Sequence, residues 1–324
     1  MRAPMCLFRL ALLAAAVHGL AGVAVAQTYP SKPIRWMLGF PAGGTSDILA
    51  RAIGIKLAEA WGQQVVIDNR AGASGIIANE LASKAAPDGH TILLVSSTYA
   101  NLISMGKKLP YDPEQDLIPV TLLASVPNIL STHPSLPVKT VKDLIALAKA
   151  KPGQINYGTG GTGTGPHLAT ELFRLTTNIT IVHVPYKGTP PAVNDLLAGR
   201  IEVMLALSPV VMPHVKAGKL RSIAVSGSKR LPELPNVPTV AETVPGYEAT
   251  TWYGLMVPRG TPKPVIDKLN GEFNKVLAMQ DIIERMTAAG FQAGGGSPEE
   301  FTRYMKAEIA KWGKVIKAAN IPVD

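Results

Sequence analysis

The sequence predicts an α/β protein built as two lobes about a hinge, and three observations carry that expectation. Helix-like and strand-like patterns alternate from Gln27 to the end of the chain, as they do over mostly parallel sheets. Each half holds a glycine-rich turn between a short strand pattern and an amphipathic helix pattern. Two further helices follow the second half, so the first lobe is expected to be discontinuous, 27–126 with 250–324, around a second lobe at 127–249. The chain then crosses twice, near Val126 and near Thr250, and two crossings make a hinge.

Taken in order, residues 34–40 read as a strand and 45–61 as a helix. In that helix Ile48, Ala52 and Ile55, with Leu49, Ile53 and Leu57, give a broad apolar face. Residues 65–67 read as a strand, 75–86 as a helix ending at Pro87-Asp88-Gly89, and 91–96 as a buried strand. Residues 120–126 lead into the second half. There Val141, Leu144, Ile145 and Ala148 mark a helix that stops at Lys151-Pro152-Gly153. Strands are expected at 155–157, 181–184, 202–207 and 221–225. Thr189-Pro190 opens a helix and Gly199 closes it, since proline suits a helix start and glycine its exit. The proline-rich stretch 231–245 is a connector. A strand at 252–257 precedes the last two helices. One is lined by Ile266, Leu269, Phe273 and Val276, the other by Phe301, Met305, Ile309, Trp312 and Ile316. Such stripes are core faces rather than cofactor contacts.

The two turns carry the functional expectation. The first reads Phe40-Pro41-Ala42-Gly43-Gly44-Thr45-Ser46-Asp47 and the second Tyr157-Gly158-Thr159-Gly160-Gly161-Thr162-Gly163-Thr164-Gly165-Pro166. Glycine permits the positive φ and close backbone approach such turns need. The free N–H groups of the following helix, with the positive end of its dipole behind them, make an anion site. Thr45, Ser46, Thr162 and Thr164 add hydroxyl donors. Two such sites suggest two lobes closing on one anionic ligand. Asp47, in the first helical turn, serves either as a cap or as a loop-orienting group.

The ends and the composition narrow the classes. Arg2 and Arg9, an apolar run over 10–17 and Ala24-Val25-Ala26 read as a cleaved secretory signal over 1–26, which directs the chain to the periplasm. No later run approaches the ~20 apolar residues of a membrane span. The single cysteine, Cys6, falls within the signal, so the exported chain is expected to hold no disulfide. Removing 26 of 324 residues leaves 298, enough for two domains, and losing Arg2 and Arg9 takes the net charge from +9 to +7. Basic residues are dispersed among acids, with no block of five and no aromatic interleaving, which argues against nucleic acid. A weak positive field suits small anionic solutes.

Other chemistries fail on context. Gly158-x-Gly160-x-x-Gly163 matches a dinucleotide fingerprint, but the strand at 181–184 runs into Pro185-Tyr186-Lys187-Gly188 with no ribose-binding acid. Gly39 and Gly44 have phosphate-loop spacing, yet Thr45 stands where the lysine belongs. His167 and Glu171 share a helix face without a second pair to complete a metal site, so neither metal nor cofactor is expected. No G-x-S-x-G elbow occurs. A Ser/His/acid triad can still assemble from distant positions, which keeps a secreted hydrolase as the rival to a non-enzymatic receptor.

At these residues the chain resembles the substrate-binding proteins of tripartite tricarboxylate transporters, the Bug or TctC-like family. The likeness runs from Tyr29-Pro30-Ser31-Lys32-Pro33-Ile34 through Pro41-Ala42-Gly43-Gly44-x-x-Asp47-x-x-Ala50-Arg51 and Val66-x-Asp68-Asn69-Arg70-x-Gly72-Ala73. It continues in Asn156-Tyr157-Gly158, Gly163-x-Gly165-x-His167-Leu168, Val184-Pro185-Tyr186-Lys187-Gly188, Gly199-Arg200, Ala217-Gly218-Lys219-Leu220-Arg221, Pro238-Thr239 and Trp252-Tyr253-Gly254. The resemblance implies a type II periplasmic binding fold, a small carboxylate ligand (a di- or tricarboxylate or an aromatic acid), membrane transporter subunits as partners, and a monomer. It puts one grip at Phe40, Ala42, Gly43, Gly44, Thr45 and Asp47. The other would be Thr159, Gly160, Gly161, Thr162, Gly163, Thr164 and His167, with Tyr186 and Ser208 nearby. Many members carry an aspartate in the loop that here reads Leu205-Ala206-Leu207-Ser208-Pro209, so an amine-bearing ligand is disfavoured.

Overall fold

A computed structural model describes residues 29–319 and 321 of the chain. It separates Met1–Ser31 from Lys32–Asp324, and the second unit carries the fold described here. The expected signal segment lies outside the described residues.

The first elements are β1 (Ile34–Leu38), α1 (Thr45–Trp61), β2 (Val65–Asn69), α2 (Ile76–Ser83), β3 (Thr91–Ser96) and α3 (Ser97–Ser104). The long strand β4 (Leu117–Thr132) follows, then α4 (Val141–Ala150), β5 (Asn156–Thr159), α5 (Gly165–Thr177), β6 (Val182–Pro185) and α6 (Thr189–Leu197). β7 (Val203–Leu207), α7 (Ser208–Lys216) and β8 (Arg221–Val225) complete the middle of the chain. The last part comprises β9 (Thr250–Pro258), α8 (Lys263–Leu277), α9 (Gln280–Ala288), β10 (Gln292–Gly295) and α10 (Pro298–Ala319).

The strands run in the order β2-β1-β3-β9-β4-β7-β5-β6, with β10 and β8 also paired to β4. β4 is shared by two sections of this curled sheet. Its residues up to Pro127 pair with β9, and Asn128 onward pairs with β7 and β8. Pro127 has no N–H to give a ladder, which suits a position where partners change. Ser226 Oγ accepts from Asn128 N–H (2.7 Å) and donates to the Ala249 carbonyl, tying β4 to the segments after β8 and before β9. The expectation of mostly parallel sheets is corrected. β1 with β2 and β3, and β5 with β6 and β7, are parallel, but every pairing of β4 and β9 is antiparallel. A chain that leaves a section on one strand and returns beside it on another must run antiparallel there.

Four helices or strands escaped the periodicity: α3, α7, α9 and β10, so that three helices rather than the expected two follow β9. α3 and α7 are short and begin directly where buried strands end, so no polar break announces them, and β10 is four residues of glycine-rich chain. In α1, Leu49, Ala52, Ile53 and Leu57 face the core, while Ile55 is 52% exposed: the apolar face is narrower than expected. α10 spans two cores. Phe301 and Met305 pack with Met37, Leu93 and Trp252 of the first section, whereas Trp312 and Ile316 pack with Tyr157, Phe173 and Tyr247 of the second. A stripe over about four turns thus serves two cores in succession.

Candidate functional site

The loop after β1 turns tightly, with Gly44 N–H on the Pro41 carbonyl (3.2 Å) and Gly43 at φ +74°. Asp47 orients it from below: Oδ2 accepts from Gly43 N–H at 3.0 Å, and Arg51 grips both oxygens through Nε and Nη2 at 2.9 and 3.0 Å. Burial pushes the Asp47 pKa up, but the Arg51 guanidinium and the Gly43 N–H outweigh it and hold the carboxyl below its usual range. The carboxylate therefore serves the loop, and Gly44 stands at the N-cap of α1 without a side-chain cap. No described group accepts from Thr45, Ser46 or Asp47 N–H, the three donors a helix start leaves free.

The second loop is held by a different apparatus. His167 Nδ1 accepts from Gly163 N–H at 3.1 Å. Its ring stacks on His183 at 4.2 Å between centroids, and His183 stacks on Tyr157 at 5.0 Å. His183 Nε2 pairs with Thr159 Oγ1 at 2.6 Å, and that hydroxyl accepts from Gly161 N–H at 3.2 Å. Below the stack, Glu171 takes the Tyr157 hydroxyl and the Arg174 guanidinium. Burial, opposed by Glu171, lowers the His167 pKa to about 4. Burial and then His167 lower that of His183 to about 3. Both rings are neutral near pH 7, and Nδ1 of His167 is free to accept.

Between the loops lies a cavity of about 30 Å³, the size of one or two water molecules. Five helices begin on it: α1 with Gly44 to Ser46, α3 with Ser96 and Thr98, α5 with Thr164 to Pro166, α6 with Thr189 and Pro190, and α7 behind Leu207. Each start carries about half a positive charge from its dipole. No lysine, arginine, histidine, aspartate or glutamate lines the cavity. Its hydroxyls include Ser46 Oγ and Thr251 Oγ1, which are buried and have no partner among the described residues. Buried unpaired hydroxyls are costly, and an acceptor oxygen would relieve both. Burial raises the Tyr253 pKa, against the Thr45 hydroxyl, so this phenol remains a neutral donor. With no histidine or carboxylate among the lining residues, none of these hydroxyls faces a base there.

Of the residues expected at the site, Phe40, Gly44, Thr45, Gly160 and Thr164 line this cavity. Ala42 and Gly43 are exposed. Asp47, Thr159, Gly161, Gly163 and His167 are buried behind the loops, in the bonds above. The Thr162 carbonyl accepts from Ser74 Oγ. Tyr186 stands in an outer groove of about 490 Å³ with Lys187 and Ile77, which shares Phe40, Pro41 and Gly160 with the cavity, and its hydroxyl donates to Asp195. Ser208 Oγ donates to the Gly290 carbonyl at 3.0 Å, leaving the preceding Leu207 at the cavity. Ser96, Thr98, Thr189, Thr251 and Tyr253 were missed. Thr189-Pro190 reads as a helix start, and helix starts were the one signal available for finding such residues.

Residues 49–321 match the model of the tripartite tricarboxylate transporter family receptor. Protein BugT of Bordetella pertussis is 37% identical, over 93% of this chain and 94% of its own. Among solved structures, R. palustris Rpa4515 with adipate is 39% identical with a TM-score of 0.88, over 90% of this chain and 99% of that one. Periplasmic binding protein BugD is 31% identical, with a TM-score of 0.86 over 90% and 99%. MatC from Rhodopseudomonas palustris with bound malate is 29% identical, with a TM-score of 0.84 over 89% and 100%. The mixed α/β fold is thus that of the periplasmic binding proteins, and these relatives are solute-binding proteins.

Proposed function

The chain belongs to the tripartite tricarboxylate transporter receptor family, and we propose that it captures a small aliphatic dicarboxylate and hands it to membrane transporter subunits. The observation that carries this reading is the convergence of five helix starts on a cavity without a charged side chain. Such a site favours an anion through backbone N–H groups and hydroxyls, and leaves nothing to pair with a ligand amine. A carboxylate fits the charge and donor set. The adipate and malate bound by two relatives favour a dicarboxylate over a tricarboxylate or an aromatic acid. In this reading the protein works in the periplasm as a monomer, after cleavage of residues 1–26.

Capture would close two lobes, 27–126 with 250–324 and 127–249, about the change of partners at Pro127 and the start of β9. Each lobe brings one glycine loop, so only the closed form offers both to one ligand, which shifts the population toward closure. The test is a thermal-shift screen of C4 to C8 diacids, citrate and benzoate, with mass analysis of the ligand recovered. At a hundredfold excess over Kd, binding adds about 2.7 kcal/mol of stability. A dicarboxylate should raise Tm by several degrees and return unchanged. No response to any carboxylate, or a hydrolysed ester substrate, would overturn the proposal.

A further inference from the structure

An anion site made of backbone requires more than free N–H groups: the neighbouring carbonyls must point elsewhere, since a peptide turned over presents its negative end. In the second loop two successive peptide planes are held at both ends. In the Thr162–Gly163 plane, Ser74 Oγ donates to the carbonyl at 2.9 Å and the N–H goes to His167 Nδ1 at 3.1 Å. In the Gly163–Thr164 plane, Asn101 Nδ2 donates to the carbonyl at 2.8 Å and the N–H goes to the Gly161 carbonyl at 3.3 Å. The next N–H, of Gly165 at the start of α5, has no described acceptor and lies on the cavity. Glycine at 161 and 163, with φ of +131° and +77°, leaves these planes easy to rotate unless something holds them.

Both carbonyl donors come from the first section, 88 and 62 residues away in sequence. Asn101 is 1% exposed, in α3. Ser74 sits in a run of four positive φ angles, Gly72 +145°, Ala73 +46°, Ser74 +54° and Gly75 +94°. Two of those residues carry a Cβ and are held against their own preference. That strained run is what brings the Ser74 hydroxyl to the Thr162 carbonyl.

We propose that Ser74 and Asn101 are positioning residues that set the peptide polarity of the second glycine loop. Neither lines the cavity itself, although Ser74 borders the outer groove that adjoins it. The loop belongs to one section and its polarity is imposed from the other, so half of the anion site is completed only when the two sections meet. The inference rests on reading the cavity as a carboxylate site, and it makes closure itself the step that turns the second loop into a binding surface.

The test uses the full chain with Ser74→Ala, Asn101→Ala and Ala73→Gly, read by amide hydrogen exchange without ligand and by stopped-flow binding of adipate. Ser74→Ala should speed exchange at Gly163, and Asn101→Ala at Thr164, each at least tenfold while Leu93 and Leu94 in β3 keep their rates. Adipate should dissociate about tenfold faster from both variants, with association within twofold of the parent. Ala73→Gly relieves strain and keeps the hydroxyl, so it should bind at least as tightly as the parent. Unchanged exchange at Gly163 and Thr164, equal acceleration in β3, or weaker binding by Ala73→Gly would overturn the proposal. Should Asn101→Ala fail to fold, Ser74→Ala, at a half-buried site, decides alone. A parent protein that binds no carboxylate sinks the ligand assignment, while the exchange rates still judge Ser74 and Asn101.

Discussion

In the first glycine loop an ionised side chain does the orienting. Asp47 holds Gly43 N–H and is itself held by Arg51, whose side chain is half in solvent. In the second loop the same task falls to neutral groups, His167 and Thr159, backed by stacked rings and by donors from the opposite section. Both loops deliver a helix start to one cavity. The first is held mainly within a dozen residues, with Asn69 Nδ2 of β2 also donating to the Phe40 carbonyl at 3.0 Å, whereas the second depends on partners far away in sequence. Similar glycine spacing therefore conceals two different vulnerabilities, one local and one tertiary.

The largest expected contrast is steric. A Cβ at Gly165 would meet Thr251 Oγ1 and, at 2.9 Å, Ser97 Oγ, while one at Gly43 would meet nothing within 4 Å. Gly165→Val should abolish dicarboxylate binding, a loss beyond a hundredfold by calorimetry, because the cavity walls cannot come together. Gly43→Ala carries only the strain of φ +74°, about 1 kcal/mol. Its binding should fall less than fivefold. Similar losses in both variants would erase the distinction between the loops.

Acid should separate the loops next. His167 titrates near 6.5 when unfolded and about 4 when folded, so the unfolded chain binds the extra proton first. Stability should fall as pH drops from 6.5 toward 4, by on the order of 2–3 kcal/mol for this residue. Once protonated, Nδ1 can no longer accept from Gly163 N–H, so affinity should start to fall between pH 5 and 4. His167→Gln should remove this residue's share of the slope and leave the share of His183, whose pKa is lowered to about 3. Asp47, whose pKa is lowered on folding, stabilises above the ordinary carboxylate range and loses that contribution only below it. Asp47→Asn should thus lower Tm at pH 7 yet leave the slope between 6.5 and 4 unchanged. Melts across pH on the three proteins decide the matter.

The smallest effect should be that of salt. With no charged side chain on the cavity, Kd should change less than threefold between 20 and 200 mM NaCl. A tenfold weakening would mean that a cation such as Lys187 or Arg70 reaches the ligand after all, and that neither loop works by backbone alone.

Much of this protein was legible in its residues taken in order. The glycine turns, the helix over Thr45–Trp61 with its start at Gly44, the buried strand Thr91–Ser96 and the strand Arg221–Val225 follow from local pattern, because caps, turns and periodicity act over a few residues. The family likeness was legible for the same reason, as motifs strung along the chain. The tertiary structure alone decided which of those residues meet. Ser96, Thr189 and Thr251 reach the cavity because β3, β9 and α6 are packed to end there. Gly43 and His167, read as ligand contacts, lie off this cavity, with Gly43 N–H on Asp47 and His167 Nδ1 on Gly163 N–H. Asn101 carries no local signal at all, yet it fixes a carbonyl 62 residues away. Backbone polarity in a glycine loop has no intrinsic preference strong enough to be read from sequence, so it is set by whatever donor the fold brings against it.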